Sequence, residues 1–383
     1  MRIQPRIDGA KFGELIYLHR MRSTDSQPFT IAQHPMTMPS ARGPASQAVV
    51  DSLLGTTPVD DLAAVIGNAV SASDDIVYDD DLQLALFCLY ELHYGGIRDV
   101  DDALEWNPEL IAARALIEAP FEAALRERIP TPTLDETSAE AVSAFLFELT
   151  SEDAGPSLSR FVARKATGEQ LREFLVQRSI YTLKEADPHS WAIPRLSGRA
   201  KAAMVEIQSD EYGGGRPHRM HSTIFAKTMS RAGLDTRYGA YVDVVPAITL
   251  ASLNMMSMFG LHRRLRGSIA GHLAAFEMTS SIPNKFYGDG FRRNGYDSDA
   301  TWYFDEHVEA DAVHEQIAGR DLAGGLAEAY PHLLDDILFG AAACLAVDGW
   351  AGQHILDAWT EERSSLVAPL APLAPITPPR VDA

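Results

Sequence analysis

The sequence predicts an all-α protein, and three observations carry that expectation. From Val59 onward apolar residues recur at helical spacing. Period-2 alternation of the kind a strand would show is nearly absent. Helix boundaries are also punctuated, with acidic or Ser/Thr residues before apolar runs and glycine or proline after them.

Residues 1–57, interrupted by Pro28, Pro35, Pro39 and Pro44, read as an irregular arm ahead of Pro58. A helix over 60–70 begins with Asp60 and Asp61, which suit the positive end of a helix. A strongly apolar helix over 80–93 stops before Gly95 and Gly96. Asn107 and Pro108 open the next, rich in Ala, Leu and Glu from 111 to 128. Pro130 and Pro132 then mark the best domain boundary. Thr137 or Ser138 caps a helix through Leu149. Helices follow over about 157–183, 194–210 and 218–232, the last two separated by Y-G-G-G-R-P from Tyr212. A long apolar helix or helix pair covers 246–277, with its weak point at Gly260 or Gly267. A helix over 301–319 and a pair over 322–362, broken near Pro331, complete the pattern. The expected organisation is an arm (1–57), an N-terminal helical domain (58–130), a main helical domain (131–363) and a Pro/Ala-rich tail (364–383).

Composition narrows the function. With 383 residues, 46% of them hydrophobic, the chain has ample material for cores. Its formal charge of −20 argues against a nucleic-acid surface and suits a small or cationic substrate better than a polyanion. The two cysteines, Cys88 and Cys344, sit in apolar runs as small buried hydrophobes. They are too few for an iron–sulfur cluster, and no disulfide is expected. The first ten residues lack the apolar core of a signal peptide, and no run of about 18 apolar residues could span a membrane. The expectation is a reduced, soluble, cytoplasmic chain.

Chemistry concentrates in W-Y-F-D-E-H-V-E-A-D-A-V-H-E-Q, residues 302–316. His307, Asp311 and His314 stand at i, i+4 and i+7. A turn of about 100° per residue places them in one stripe. Two imidazoles and a carboxylate on one stripe form a metal-binding pattern. A solvated acidic face accounts for it equally well, since Asp305, Glu306, Glu309 and Glu315 surround them. Glu211 precedes the triple glycine and His221 follows it. The glycines either re-aim His221 towards a ligand or make a simple inter-helix turn. Spacing does not single out that pair from Asp210, Glu206 and His218. Glu277 follows a mostly apolar helix, where a buried carboxylate would need a partner or a metal, although a helix-end glutamate in solvent fits too. Glu185 shares its segment with Lys184, Asp187 and His189, and alone reads as a surface residue. Carboxylates and imidazoles in this mixture suit iron or manganese better than zinc or haem.

K-E-A-D-P-H-S-W-A-I-P-R-L, E-I-Q-S-D-E-Y-G-G-G-R-P-H-R-M-H, G-H-L-A-A-F-E-M-T-S and F-D-E-H-V-E-A-D-A-V-H-E occur in the order found in the haem-oxygenase-like di-iron oxidases and oxygenases. From about Pro130 to Trp359 the chain resembles that family, and its N-oxygenating members in particular. The resemblance implies a haem-oxygenase-like helical bundle that holds two Fe(II)/Fe(III) ions and uses O2 as co-substrate. It implies an external electron donor, either a reductase or a chemical reductant. It places the carboxylate ligands on Glu185, Glu211, Glu277 and Asp311 and the histidine ligands on His221, His307 and His314. The N-terminal helices look like the family's dimerising unit, so a homodimer is expected. The implied activity is oxygenation of an amine or guanidine nitrogen of a small molecule in specialised metabolism. Desaturation or C–C cleavage of an amino or fatty acid is the alternative, and a metal-free binding scaffold the third. Retention of all seven residues argues against the third. A further histidine, beyond those of the C–C-cleaving relatives, favours nitrogen.

Overall fold

The computed structural model describes residues 35–57, 61–151 and 157–370, and for residues 309–313 the backbone alone. The expected arm before residue 35 and the tail beyond 370 lie outside the described residues. Among those described, helices account for the architecture, and one isolated parallel bridge between Met36 and Ile97 is the sole β feature. The all-α expectation holds.

Among the described residues four α-helices come first: α1 (Pro44–Leu53), α2 (Leu62–Ala72), α3 (Asp80–Glu91) and α4 (Pro108–Arg128). The Asp79 carboxylate accepts from the backbone N–H groups of Asp81 and Leu82 and so starts α3. Asn107 does the same for α4, with Pro108 in the first turn where its missing N–H costs nothing. Every residue of α3 from Leu82 to Glu91 is buried, as befits a helix that is apolar on nearly all sides.

The bundle continues through α5 (Ala139–Ser151), α6 (Leu158–Arg164), α7 (Gly168–Thr182), the single turn α8 (Asp187–Ser190), α9 (Gly198–Glu211), α10 (His221–Arg231), α11 (Ala247–Leu261) and α12 (Arg266–Met278). It closes with α13 (Ser281–Arg293), α14 (Ser298–Gln316), α15 (Gly325–Ala329) and α16 (Leu334–Thr360). Between α14 and α15 the residues Ile317–Gly324 form a π-helix. Buried apolar side chains make one continuous cluster that includes both the first helices and the later bundle. No described helix is long and apolar enough to cross a membrane.

Several boundaries differ from the sequence expectation for identifiable reasons. The helix expected over 157–183 is two helices. Thr167 is extended, its hydroxyl accepts from Gln170 N, and the Gln170 side chain accepts from Thr167 N, a reciprocal cap that begins α7 afresh. The stretch expected over 194–210 starts only at Gly198, because Ser197 has extended dihedrals. Helix α13 was not expected at all; Pro283, Gly288 and Gly290 weaken its pattern. The long helix over 246–277 breaks at His262–Leu265, between Gly260 and Gly267 rather than at either. Those glycines, with Gly271 and Gly340, serve close packing instead. A Cβ on Gly271 would lie 1.9 Å from the Ile337 carbonyl oxygen, and one on Gly340 would lie 2.0 Å from that of Ser268.

Helices α12 and α16 therefore touch backbone to backbone, and α12 carries Glu277 into the bundle. Gly271→Ala is expected to cost about 1–3 kcal/mol of unfolding free energy through forced separation of the two helices. Gly67→Ala, in open space on α2, should gain a few tenths to about 1 kcal/mol. Chemical denaturation of the two variants checks this, and equal stabilities would contradict it.

Candidate metal centre

Glu185 stands three residues beyond α7, where the chain turns sharply. Ala186 adopts φ 77°, in the left-handed region that a non-glycine residue seldom occupies. Its carbonyl accepts from Gln208 Nε2 at 2.7 Å, which holds the turn. On the other side Lys184 pairs with Glu91, so the lysine is drawn away from its neighbour. The Glu185 carboxylate is left buried, and Tyr303 Oη reaches its two oxygens at 2.8 and 3.1 Å.

Glu211 closes α9 and His221 opens α10. The three glycines between them all have positive φ, at 69°, 60° and 75°. A Cβ on Gly213 would come within 2.6 Å of the Arg219 carbonyl carbon, so the doubled-back path requires glycine there. It brings His221 Nδ1 to 2.9 Å from Glu211 Oε2. The inter-helix turn and the re-aimed histidine are thus one device.

Glu277 lies one residue before the end of α12, and His307 and His314 lie two turns apart on α14. All three are buried, at 5%, 5% and 2% exposure. On the opposite side of α14, Asp305 pairs with Arg292 and Glu306 with Arg219. The helix thus combines an acidic outer face with two inward imidazoles.

Ligand-capable atoms of Glu185, Glu211, His221 and His307 all lie within 4.8 Å of one another. Those of Glu211, Glu277 and His314 do likewise, with Glu211 common to both groups. Six of the seven sequence-derived residues therefore converge from five separate segments. The side chain of the seventh, Asp311, is outside the described residues. The competing residues take other roles. Glu206 and His218 are exposed. Asp187 accepts from Tyr212 Oη at 2.7 Å, and His189 Nε2 lies 3.1 Å from His272 Nδ1. Asp210, 63% exposed, faces His314 Nε2 at 3.1 Å.

Hydrogen bonds also set which imidazole nitrogen faces inward. His307 Nδ1–H donates to the Tyr303 carbonyl at 2.8 Å, which leaves Nε2 with its lone pair 3.7 Å from Glu185. His314 Nε2–H donates to Asp210 and turns Nδ1 towards Glu277 at 3.4 Å. A carboxylate that orients the outer nitrogen of a histidine is a recurrent feature of metal sites. Buried Nδ1 atoms of His221 and His314 have no aligned hydrogen-bond partner among the described atoms, although carboxylates stand beside them. Donor atoms close together but aimed past one another are what a cation between them would satisfy once the rings are neutral. The donor set fits iron on that ground and on ligand type.

Crowding leaves its mark on proton affinities. Burial opposes the Glu211 charge, but His221, His307 and His314 outweigh it and hold its carboxyl down at about 2. Burial and the neighbouring Glu211 push Glu277 up. Burial opposes charge on His314 too, yet Glu277, Asp210 and Glu211 raise it to about 9 from an ordinary 6.5. In the metal-free protein the stability due to His314 is complete below about pH 6.5 and is lost as pH climbs through about 9. Ligation needs the neutral ring, so ferrous affinity is expected to rise across that window with release of a proton. Isothermal titration in buffers of different ionisation enthalpy checks this, and a flat affinity would contradict it.

Tyr303 and the strained Ala186 were missed by sequence reasoning. Tyr303 had a usable signal, since it stands four residues before His307 on the same stripe. Beside Glu185, Tyr303 and His307 opens a cavity of about 530 Å3.

An all-α bundle that gathers buried carboxylates and imidazoles into two groups around a shared glutamate is consistent with an iron-binding redox enzyme of the haem-oxygenase-like kind, and residues 172–349 match the family described as iron-containing redox enzymes. All seven sequence-derived site residues fall inside that match. The chain is also 28% identical over 199 residues to the nitrosourea synthase of Streptomyces achromogenes subsp. streptozoticus. That similarity covers 50% of this chain and 42% of the synthase, so the chain spans less than half of its relative.

Proposed function

We propose that the protein is an O2-dependent N-oxygenase that hydroxylates an amine or guanidine nitrogen of a small molecule. The observation that supports this most directly is the pair of donor groups sharing Glu211, beside a cavity large enough for a metabolite. Glu185, Glu211, His221 and His307 would hold one iron; Glu211, Glu277 and His314 would hold the other, with Asp311 a further ligand. Two bound irons supply the reductive activation of O2. The protein supplies the rest. Tyr303 steadies Glu185 by hydrogen bonding, and the Tyr303 carbonyl and Asp210 fix the two histidine tautomers. Glu185, Glu211, His221, Glu277, His307 and His314 are buried, which strengthens the charge interactions among them. The balanced reaction takes a substrate N–H, O2, two electrons from an external donor and two protons to N–OH and water. Helices of the 58–130 segment are proposed to form a homodimer, which sedimentation equilibrium checks against a monomer.

The test is product analysis with 18O2, ferrous iron and a chemical reductant over a panel of amines and guanidines. The proposal expects one labelled oxygen on nitrogen. An alkene, or an acid one carbon shorter with its nitrogen unoxidised, would overturn it in favour of desaturation or C–C cleavage.

A further inference from the structure

One buried ion pair ties the N-terminal helices to the metal centre. Glu91, the last residue of α3, and Lys184 are 1% and 5% exposed and pair with each other. Tyr238 Oη donates to Glu91 Oε1 at 2.8 Å. The Lys184 ammonium lies 3.7 Å from the ring centre of Tyr94, and 5.1 and 5.8 Å from those of Tyr238 and Phe87. Rings and carboxylate together hold the head of the lysine in one place. Desolvation of two buried charges largely cancels their attraction, and Glu91 Oε2 has no hydrogen-bond partner among the described atoms. The net stability from such a pair is small, whereas its effect on where the lysine sits is large.

Lys184 directly precedes Glu185, in a turn whose other residues are anchored elsewhere. The Ala186 carbonyl accepts from Gln208, and the Asp187 carboxylate accepts from Tyr212 Oη. These two ties come from α9 and the residue just after it, so they pin the turn to the helix that ends in Glu211. The tie at Lys184 comes from α3 instead. Ala186 is left-handed, and a non-glycine residue keeps that conformation only where its surroundings hold it.

We propose that Glu91 is a positioning residue for Glu185. Through Lys184 it holds the turn that presents the Glu185 carboxylate to His221 and His307, which makes α3 a working part of the metal centre. The proposal rests on the reading of the donor groups as iron ligands. Iron in the group that contains Glu185 and the docking of α3 then strengthen each other by the same factor.

The full chain is titrated anaerobically with ferrous iron, and amide hydrogen exchange is followed over residues 88–94 with and without the metal. The unmodified chain should bind two irons, and saturation should slow exchange in that stretch by about tenfold. Glu91→Gln combined with Lys184→Met removes both charges at once, keeps an acceptor for Tyr238 and should fold with nearly unchanged stability. In this double variant one iron should weaken by about 10–100-fold and the other by less than about threefold. Iron should no longer slow exchange over 88–94. Glu91→Asp, which keeps the charge, should retain part of the affinity. A role confined to stability would move none of these readouts in a variant that melts like the wild type. Wild-type iron affinities in the double variant, or exchange over 88–94 that ignores iron in the unmodified chain, would overturn the proposal and leave the donor-group reading intact. So would failure of the double variant to fold, which would make the pair a structural support. An unmodified chain that binds no iron would overturn both.

Discussion

Glu211→Ala is expected to abolish iron binding at both positions together and to eliminate oxygen-dependent turnover. Glu211 is the residue common to the two donor groups, so its loss leaves one group with three donors and the other with two. Orienting residues alone are worth about 10–100-fold in metal affinity, and a shared ligand should exceed that. The fold should survive. Glu211 ends α9 next to a glycine turn and pairs with His221; because its carboxyl is held down in the folded protein, its loss should cost some stability without dismantling the bundle around it. Iron analysis and circular dichroism on one preparation check both halves. A variant that kept two irons, or that unfolded, would contradict the account.

His314→Ala should act on one group only. Its Nδ1 faces Glu277, whereas Glu185, His221 and His307 gather on the other side of Glu211. The expected outcome is retention of about one iron per chain with turnover reduced by more than about a hundredfold, because the two-iron site acts as a unit. Asp210→Asn gives the graded version. It keeps the shape of the orienting partner but removes the charge facing His314 Nε2, and should weaken the second iron by about 10–100-fold. Loss of both irons in His314→Ala would show that the groups are not separable in the way the geometry requires.

Much of this site was legible in the chain, and the residues show why. The i, i+4, i+7 stripe is a statement about one helix, and helical rotation alone places His307 and His314 together. Glu211, His221 and Glu277 were readable as candidates because glycine or apolar neighbours made them anomalous, although spacing did not separate Glu211 and His221 from Glu206, Asp210 and His218. Glu185 was not. Its neighbours are polar, and only the resemblance to a family singled it out from Lys184, Asp187 and His189. The structure explains the difficulty, because its burial comes from the turn at Ala186 and from Tyr303 far along the chain. Periodicity found the helical class and most helices. It missed the Thr167 cap inside 157–183, where a local hydrogen-bond exchange overrides an unbroken apolar pattern. It also missed α13, in which Gly290 is retained because a Cβ would lie 2.5 Å from the Val162 carbonyl oxygen. Residues that line the cavity come from helices up to about 200 positions apart, so their juxtaposition is tertiary and invisible to any local window.

The most direct test of the central claim is anomalous diffraction at the iron edge from crystals grown anaerobically with ferrous iron. Two peaks are expected, one among Glu185, Glu211, His221 and His307, the other among Glu211, Glu277 and His314, with Glu211 between them. A single peak at saturating iron, or peaks away from these residues, would contradict it.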